Sequence, residues 1–95
     1  MKTQLECIVR GRVQGVMFRD FVKRRAQGLD IVGTVENRPD GSVKVIAVGL
    51  EDNLKKLLEL LQKGPILTRI KTHIDAVEVE WGKPTQDFSG FEIIY

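Results

Sequence analysis

The stretch IVGTVENRPDGSVKVIAVG, residues 31 to 49, sits mid-chain and decides how the rest can fold. IVGTVEN and SVKVIAVG are β-branched runs, and Pro39-Asp40-Gly41 lies between them. Proline presets a turn dihedral, aspartate bonds its own backbone, and glycine takes conformations that other residues resist. Two such runs around one short turn predict a β-hairpin.

Working outward, each side of the hairpin carries a helical pattern. Upstream, Phe18, Phe21, Val22, Ala26 and Leu29 recur at i, i+3, i+4 spacing, with Gly28 near the end. Downstream, Leu54, Leu57, Leu58 and Leu61 do the same, with Glu51 and Asp52 at the start and Gly64-Pro65 as the stop. Each helix has one apolar stripe and a charged back, so each packs on one side only. Beyond the helices the period returns to two. Leu5, Cys7 and Val9 alternate with Gln4, Glu6 and Arg10; Val77, Val79 and Trp81 alternate with Glu78 and Glu80; Phe91, Ile93 and Tyr95 close the sequence. Residues 64 to 73 and 82 to 90 read as loops.

The predicted order is strand, helix, strand, strand, helix, strand, with a short further strand. One mainly antiparallel sheet with two helices on one face satisfies it. That is an α+β, ferredoxin-like split βαβ sandwich. In this topology the strand over residues 31 to 37 is expected to be central, beside the first strand. The fold alone assigns no function.

Bulk properties narrow the classes. At 95 residues the expectation is a single domain over residues 1–95. Such a chain buries roughly 60–65% of its unfolded surface, enough for one core. The net charge of +2 is too small to predict wrapping of nucleic acid or adhesion to membranes. No apolar run approaches the roughly 20 residues that span a bilayer. MKTQLECIVRGR lacks the apolar region of a signal peptide. Cys7 is alone, so no internal disulfide or thiol cluster is expected. These features predict a cytoplasmic protein.

The segment GRVQGVMFRDF, residues 11 to 21, runs from the first strand into the first helix. It spends two glycines within five residues and then places Arg19 at the helix start. A helix N-terminus favours anions, so a cation there is a local error unless something negative sits beside it. Loop amides can converge on an anion, the helix start adds free N–H groups, and a guanidinium offers a second set of donors. From spacing alone two readings stay open. One is a phosphate-sized anion site. The other is a solvated Arg19 with Gly15 as a turn residue. The loop is neither a Walker loop nor a dinucleotide fingerprint. Asn37, just before the turn, is open in the same way, as a site amide able to hold water or as turn chemistry.

GRVQGVMFR and GTVENRPDGSVKVIAVG resemble the two signature segments of the acylphosphatase family. The first matches the pattern G-x-V-Q-G-V-x-F-R throughout. The second keeps the family's residues at Gly33, Val35, Asn37, Gly41, Val43 and Gly49. The similarity continues through LLELLQKGP and FSGFEIIY and covers essentially the whole chain. Thr34 departs from a usual aromatic, and Glu36 from a usual basic or small uncharged residue. Alternation puts Glu36 on the opposite face from Asn37.

The resemblance implies hydrolysis of acyl phosphates to carboxylate and inorganic phosphate, with no metal or organic cofactor. The family's essential arginine falls on Arg19 and its asparagine on Asn37. Its phosphate loop falls on Gln14, Gly15, Val16, Met17 and Phe18. The implied partner is a small-molecule acyl phosphate, with inorganic phosphate or sulfate able to enter the site. No nucleic acid and no membrane are expected, and the chain is expected to act as a monomer. A non-catalytic anion-binding or regulatory module is the alternative. RNA binding is disfavoured because segments 5–10 and 32–37 contain no Phe, Tyr or Trp. His73 and Trp81 read as structural, and Lys23, Arg24 and Arg25 as a solvated face beside Arg10 and Arg12.

Overall fold

The hairpin and the two helical stripes appear where their periods place them. The computed structural model describes residues 2–14, 16–63 and 73–95. The elements run β1 (Lys2–Arg12), α1 (Val16–Gly28), β2 (Val32–Asn37), β3 (Val43–Leu50), α2 (Glu51–Lys63), β4 (His73–Gly82) and β5 (Phe91–Ile94). Gly15 and the Gly64-Pro65 stop lie outside the described residues, as does the loop expected over residues 64–72. His73 and Gly82, read as loop ends, are the first and last residues of β4.

The sheet order is β4-β1-β3-β2-β5. β1 pairs antiparallel with β3 and β4, β2 pairs antiparallel with β3, and β5 joins β2 in parallel. This is the expected ferredoxin-like α+β arrangement, with one correction. β2 is not beside β1; β3 lies between them. The hairpin forces β2 against β3, and the α1 crossover leaves the position between β1 and β2 for β3 to fill.

Both helices cover the sheet face to which Leu5, Cys7, Val9, Val35, Val43, Val45, Ala47 and Phe91 point. From above, Phe18, Val22, Ala26, Leu54, Leu57 and Leu61 join the same buried cluster. Each fully buried leucine contributes roughly 1.5–3 kcal/mol through burial. α1 lies over β2 and β5, and α2 over β3, β4 and β1. Gly33 shows how close β2 and β3 run. Its φ is 147°, and a Cβ there would lie 1.8 Å from the carbonyl oxygen of Ile46.

The opposite face is polar, with Glu6 paired to Lys44 at 3.5 Å and Arg10 paired to Glu78. Gln4 breaks the alternation: it lies on this face yet is buried. The segment 83–90 must travel from one sheet edge to the other, and it crosses there. The backbone N–H of Thr85 donates to Gln4 Oε1 at 3.1 Å and its hydroxyl at 3.2 Å. The end of the strap is fixed where Gly33 N–H donates to the carbonyl of Gly90 at 3.0 Å.

α1 ends at its glycine, Gly28, and the left-handed residue follows two positions later. Asp30 takes the left-handed conformation at φ 55°. Asp30 N–H donates to the Gln27 carbonyl at 3.2 Å, and Ile31 N–H to the Ala26 carbonyl at 2.9 Å. This is the paired C-terminal capping pattern usually built on glycine.

Candidate active site

The site forms where β1 gives way to α1 and where β2 and β5 end. The β1–β4 register shifts between Arg10 and Gly11, and Gly11 has φ 136°. That positive φ is where glycine is needed, at the irregularity just before β1 ends. Val13 is buried and anchors the following loop to the core. The chain then enters α1 at Val16, with Met17 and Phe18 next. The main-chain N–H groups of such a first turn have no intrahelical partner. Phe18 spends its side chain on the core, so only its amide is free for a ligand; Met17 is 58% exposed.

Arg19 completes that first turn, which contains no acidic residue. It is only 8% exposed. Its Nη1 donates to the carbonyl oxygen of Ile94 at 3.5 Å. Its Cζ lies 4.9 Å from the centroid of the Tyr95 ring, in a cation–π contact. The guanidinium is thereby oriented by a carbonyl and a ring, without an ion pair to any described carboxylate.

Asn37 ends β2. Glu36 pairs with Ile94 across the β2–β5 ladder, so Asn37 follows beside the position of Tyr95. Arg19 is held by these same two β5-end residues, which brings the arginine and the asparagine to one corner. The loop reaches the corner from the other side. Gln14 Nε2 donates to the carbonyl of Arg38 at 2.6 Å and to that of Ser42 at 3.2 Å. Glu36 points to the far face, paired with Lys44 in register, as alternation predicts.

Two buried side-chain atoms among the described residues lack a hydrogen-bond partner: Arg19 Nε and Asn37 Oδ1. A buried polar atom with no partner costs about 1–3 kcal/mol. Native proteins rarely leave these groups unpaired without a functional reason. Here a free donor on a cation and a free acceptor on an amide stand at the corner where spacing alone had left the question open.

The neighbouring hairpin turn is tied down by charge. Asp40 Oδ1 accepts from the Ser42 hydroxyl at 2.5 Å and from its N–H at 2.9 Å. Those bonds, the hydroxyl first, lower the Asp40 carboxyl to about 2. Arg10 bridges this turn to β4 through Asp40 and Glu78. Arg24 pairs with Asp20 at 2.9 Å, so two members of the basic group are spent on local acids. Among the described residues no three His, Cys, Asp or Glu side chains gather into a metal-ligand set. Cys7 is buried in the sheet, and burial pushes its thiol up to about 12.

Sequence reasoning named Arg19 and Asn37 but missed what holds them. The Tyr95 ring and the Ile94 carbonyl lie far along the chain, and nothing local to GRVQGVMFR signals them. The side-chain role of Gln14 was also missed, because a carbonyl partner leaves no mark in a sequence.

Known proteins resemble this chain in sequence and in fold. A family model described as Acylphosphatase matches residues 5–93. An acylphosphatase of Salinibacter ruber is 44% identical over 85 residues, covering 90% of this chain and 85% of the relative. One from Caldivirga maquilingensis is 41% identical over 93 residues, covering 97% and 94%. The crystal structure of acylphosphatase from Bacillus subtilis superposes with a TM-score of 0.87 at 33% identity, over 98% of this chain and 99% of that one. With nearly the whole length matched in sequence and in structure, the chain belongs to the acylphosphatase family.

Proposed function

We propose that the chain hydrolyses the carboxyl–phosphate bond of acyl phosphates with three groups of its own: the amides around the start of α1, Arg19 and Asn37. The observation that carries this reading is the pair of unpartnered buried atoms, Arg19 Nε and Asn37 Oδ1. A guanidinium N–H is a donor suited to a phosphoryl oxygen. An amide carbonyl oxygen is an acceptor suited to the O–H of water. The two vacancies thus match the two reactants of a hydrolysis.

An acyl phosphate is a mixed anhydride, and its carboxylate leaves without being protonated. The protein has only to neutralise charge on the phosphoryl oxygens and to place water for in-line attack. The amides at Gln14, Gly15, Val16, Met17 and Phe18, with Arg19, supply preorganised positive charge. Asn37 Oδ1 accepts a hydrogen bond from one O–H of the water and aims the oxygen lone pair at phosphorus. The water O–P bond forms, and the bond from phosphorus to the acyl oxygen breaks. Carboxylate leaves with the electron pair, and the water proton passes to a phosphoryl oxygen of the substrate. No general acid is needed, and every step uses groups of this chain or of the substrate.

A non-catalytic anion-binding module on the same fold is the less favoured reading. Relatives about 40% identical over nearly the full chain are acylphosphatases, and Arg19 and Asn37 are both present. The test is phosphate release from a small aromatic acyl phosphate. Arg19→Ala is expected to lower kcat by about 10³-fold or more, the scale on which a transition-state arginine acts. Asn37→Ala is expected to lose on the order of 10²-fold, the cost of misplacing a reactant. Wild-type protein that releases no phosphate above the blank would overturn the enzymatic reading.

A further inference from the structure

Gln14 heads the loop that bears the proposed cradle, yet its side chain is engaged elsewhere. Nε2 donates to two main-chain carbonyls, Arg38 at 2.6 Å and Ser42 at 3.2 Å. Both partners only accept, so the amide must present its nitrogen to them, one hydrogen to each. The remaining atom, Oε1, is an acceptor and would repel a phosphoryl oxygen. The side chain is therefore not a phosphate ligand.

The two carbonyls it caps are those that close the hairpin turn. Arg38 N–H donates to the Ser42 carbonyl at 2.8 Å, and Gly41 N–H to the Arg38 carbonyl at 3.1 Å. Each oxygen has a second lone pair, and Gln14 takes it. This matters because of the sheet order: β3 separates β1 from β2, so the ladder does not hold Asn37 against the loop that follows β1. The Arg10–Asp40 contact also joins β1 to the turn, at 3.4 Å; those side chains and Gln14 alike reach solvent, so length and placement separate the two contacts. The Gln14 bond is shorter and falls on Arg38, the residue directly after Asn37.

We propose that Gln14 is a positioning residue: its amide clamps the loop before α1 to the hairpin turn and so sets where Asn37 stands relative to a bound phosphoryl group. The proposal rests on the function proposed above. It separates two roles within one loop, since main-chain amides would bind the anion while this side chain aligns the water.

The experiment compares wild type, Gln14→Met, Gln14→Glu and Asn37→Ala. It measures kcat on a small aromatic acyl phosphate, competitive inhibition by inorganic phosphate, and Tm. Gln14→Met keeps length and loses both donors. Its kcat is expected to fall about 10- to 100-fold, as for a reactant displaced by up to an ångström. Phosphate inhibition should shift by less than about threefold, because ground-state binding is retained. Gln14→Glu places an acceptor against two carbonyl oxygens and should lose at least as much at neutral pH. As pH falls its carboxyl gains a proton and one donor, so its kcat relative to wild type should rise while that of Gln14→Met stays flat. A change in folding alone does not produce that pH signature. Equal kcat in Gln14→Met and wild type would overturn the clamp. So would a kcat loss matched by an equal loss of phosphate affinity, or a Gln14→Glu ratio independent of pH. If wild type turns over and Asn37→Ala shows its expected loss, those failures fall on the clamp alone. A silent wild type overturns the functional reading and the clamp with it.

Discussion

α1 and α2 are the same length, 13 residues each, and cover the same face of one sheet, yet they begin in opposite ways. α2 opens with Glu51 and Asp52 and closes with Lys63, the order of charge that a helix dipole favours. α1 has no acid in its first turn and buries Arg19 there instead. The α2 start is complete within its own sequence. On the function proposed here, an anion supplies the negative charge missing from the α1 start. A departure from local physical preference, set beside a neighbour that obeys it, marks where binding replaces stability.

This contrast can be broken at several points. The largest effect expected is at Arg19. Replacement by alanine should all but stop turnover, while Tm in phosphate-free buffer falls only slightly, because the lost Ile94 bond and Tyr95 contact are offset by two gains. The change removes a cation from a positive helix end and a buried donor without a partner. A large drop in Tm would show that the arginine is structural and that the two helix starts differ for another reason.

Ligand-linked stability comes next. At phosphate a hundredfold above its dissociation constant, wild type should gain about 2.7 kcal/mol. In a domain of this size that raises Tm by roughly 10 °C or more. Arg19→Ala should lose this gain, and Asp52→Asn at the start of α2 should keep it. Thermal melts with and without phosphate on the three proteins decide the point.

The far end of α1 has no ligand to serve and should respond like an ordinary helix. A Cβ at Gly28 would meet nothing within 4 Å. Gly28→Ala should therefore stabilise by about 0.5–1 kcal/mol with kcat unchanged. At α2, Asp52→Asn should cost about 0.3–1 kcal/mol, and less in high salt.

The smallest effect concerns the turn that Gln14 clamps. The Ser42 hydroxyl and N–H hold the Asp40 carboxyl at about 2, against an ordinary 3.8. A lowered carboxyl contributes stability above its unfolded value and loses it as pH falls through the folded one. Wild-type Tm should therefore carry a decline between about pH 4 and about pH 2 that Asp40→Asn lacks. The group is exposed, so the difference is slight.

Much of this was legible in the residues. The hairpin, both apolar stripes and the element order follow from periods of 2 and 3.6, which act locally. Arg19 stood out because one residue broke a local charge rule. Strand neighbours are a non-local matter, and there β2 was misplaced: alternation shows which face a residue takes, not which strand lies beside it. Alternation sets Gln4 on the face of Glu6 and Arg10, and nothing in β1 reports that residues 83–90 will lie over it. Gly28 was read near the end of α1 and is its last residue, but the left-handed cap is Asp30, an aspartate in a place glycine usually fills, which the spacing did not mark. The supports of Arg19 were invisible for a plainer reason: a carbonyl oxygen belongs to every residue, and only the folded chain shows which one is used.

The parallel addition of β5 carries a consequence for when a new molecule becomes competent. Arg19 emerges from the ribosome early, but its carbonyl partner lies 75 positions later. During synthesis the guanidinium has neither the Ile94 oxygen nor the Tyr95 ring to hold it until the whole sequence has emerged. A chain cut before residue 91 would lack both supports and leave Arg19 free to swing.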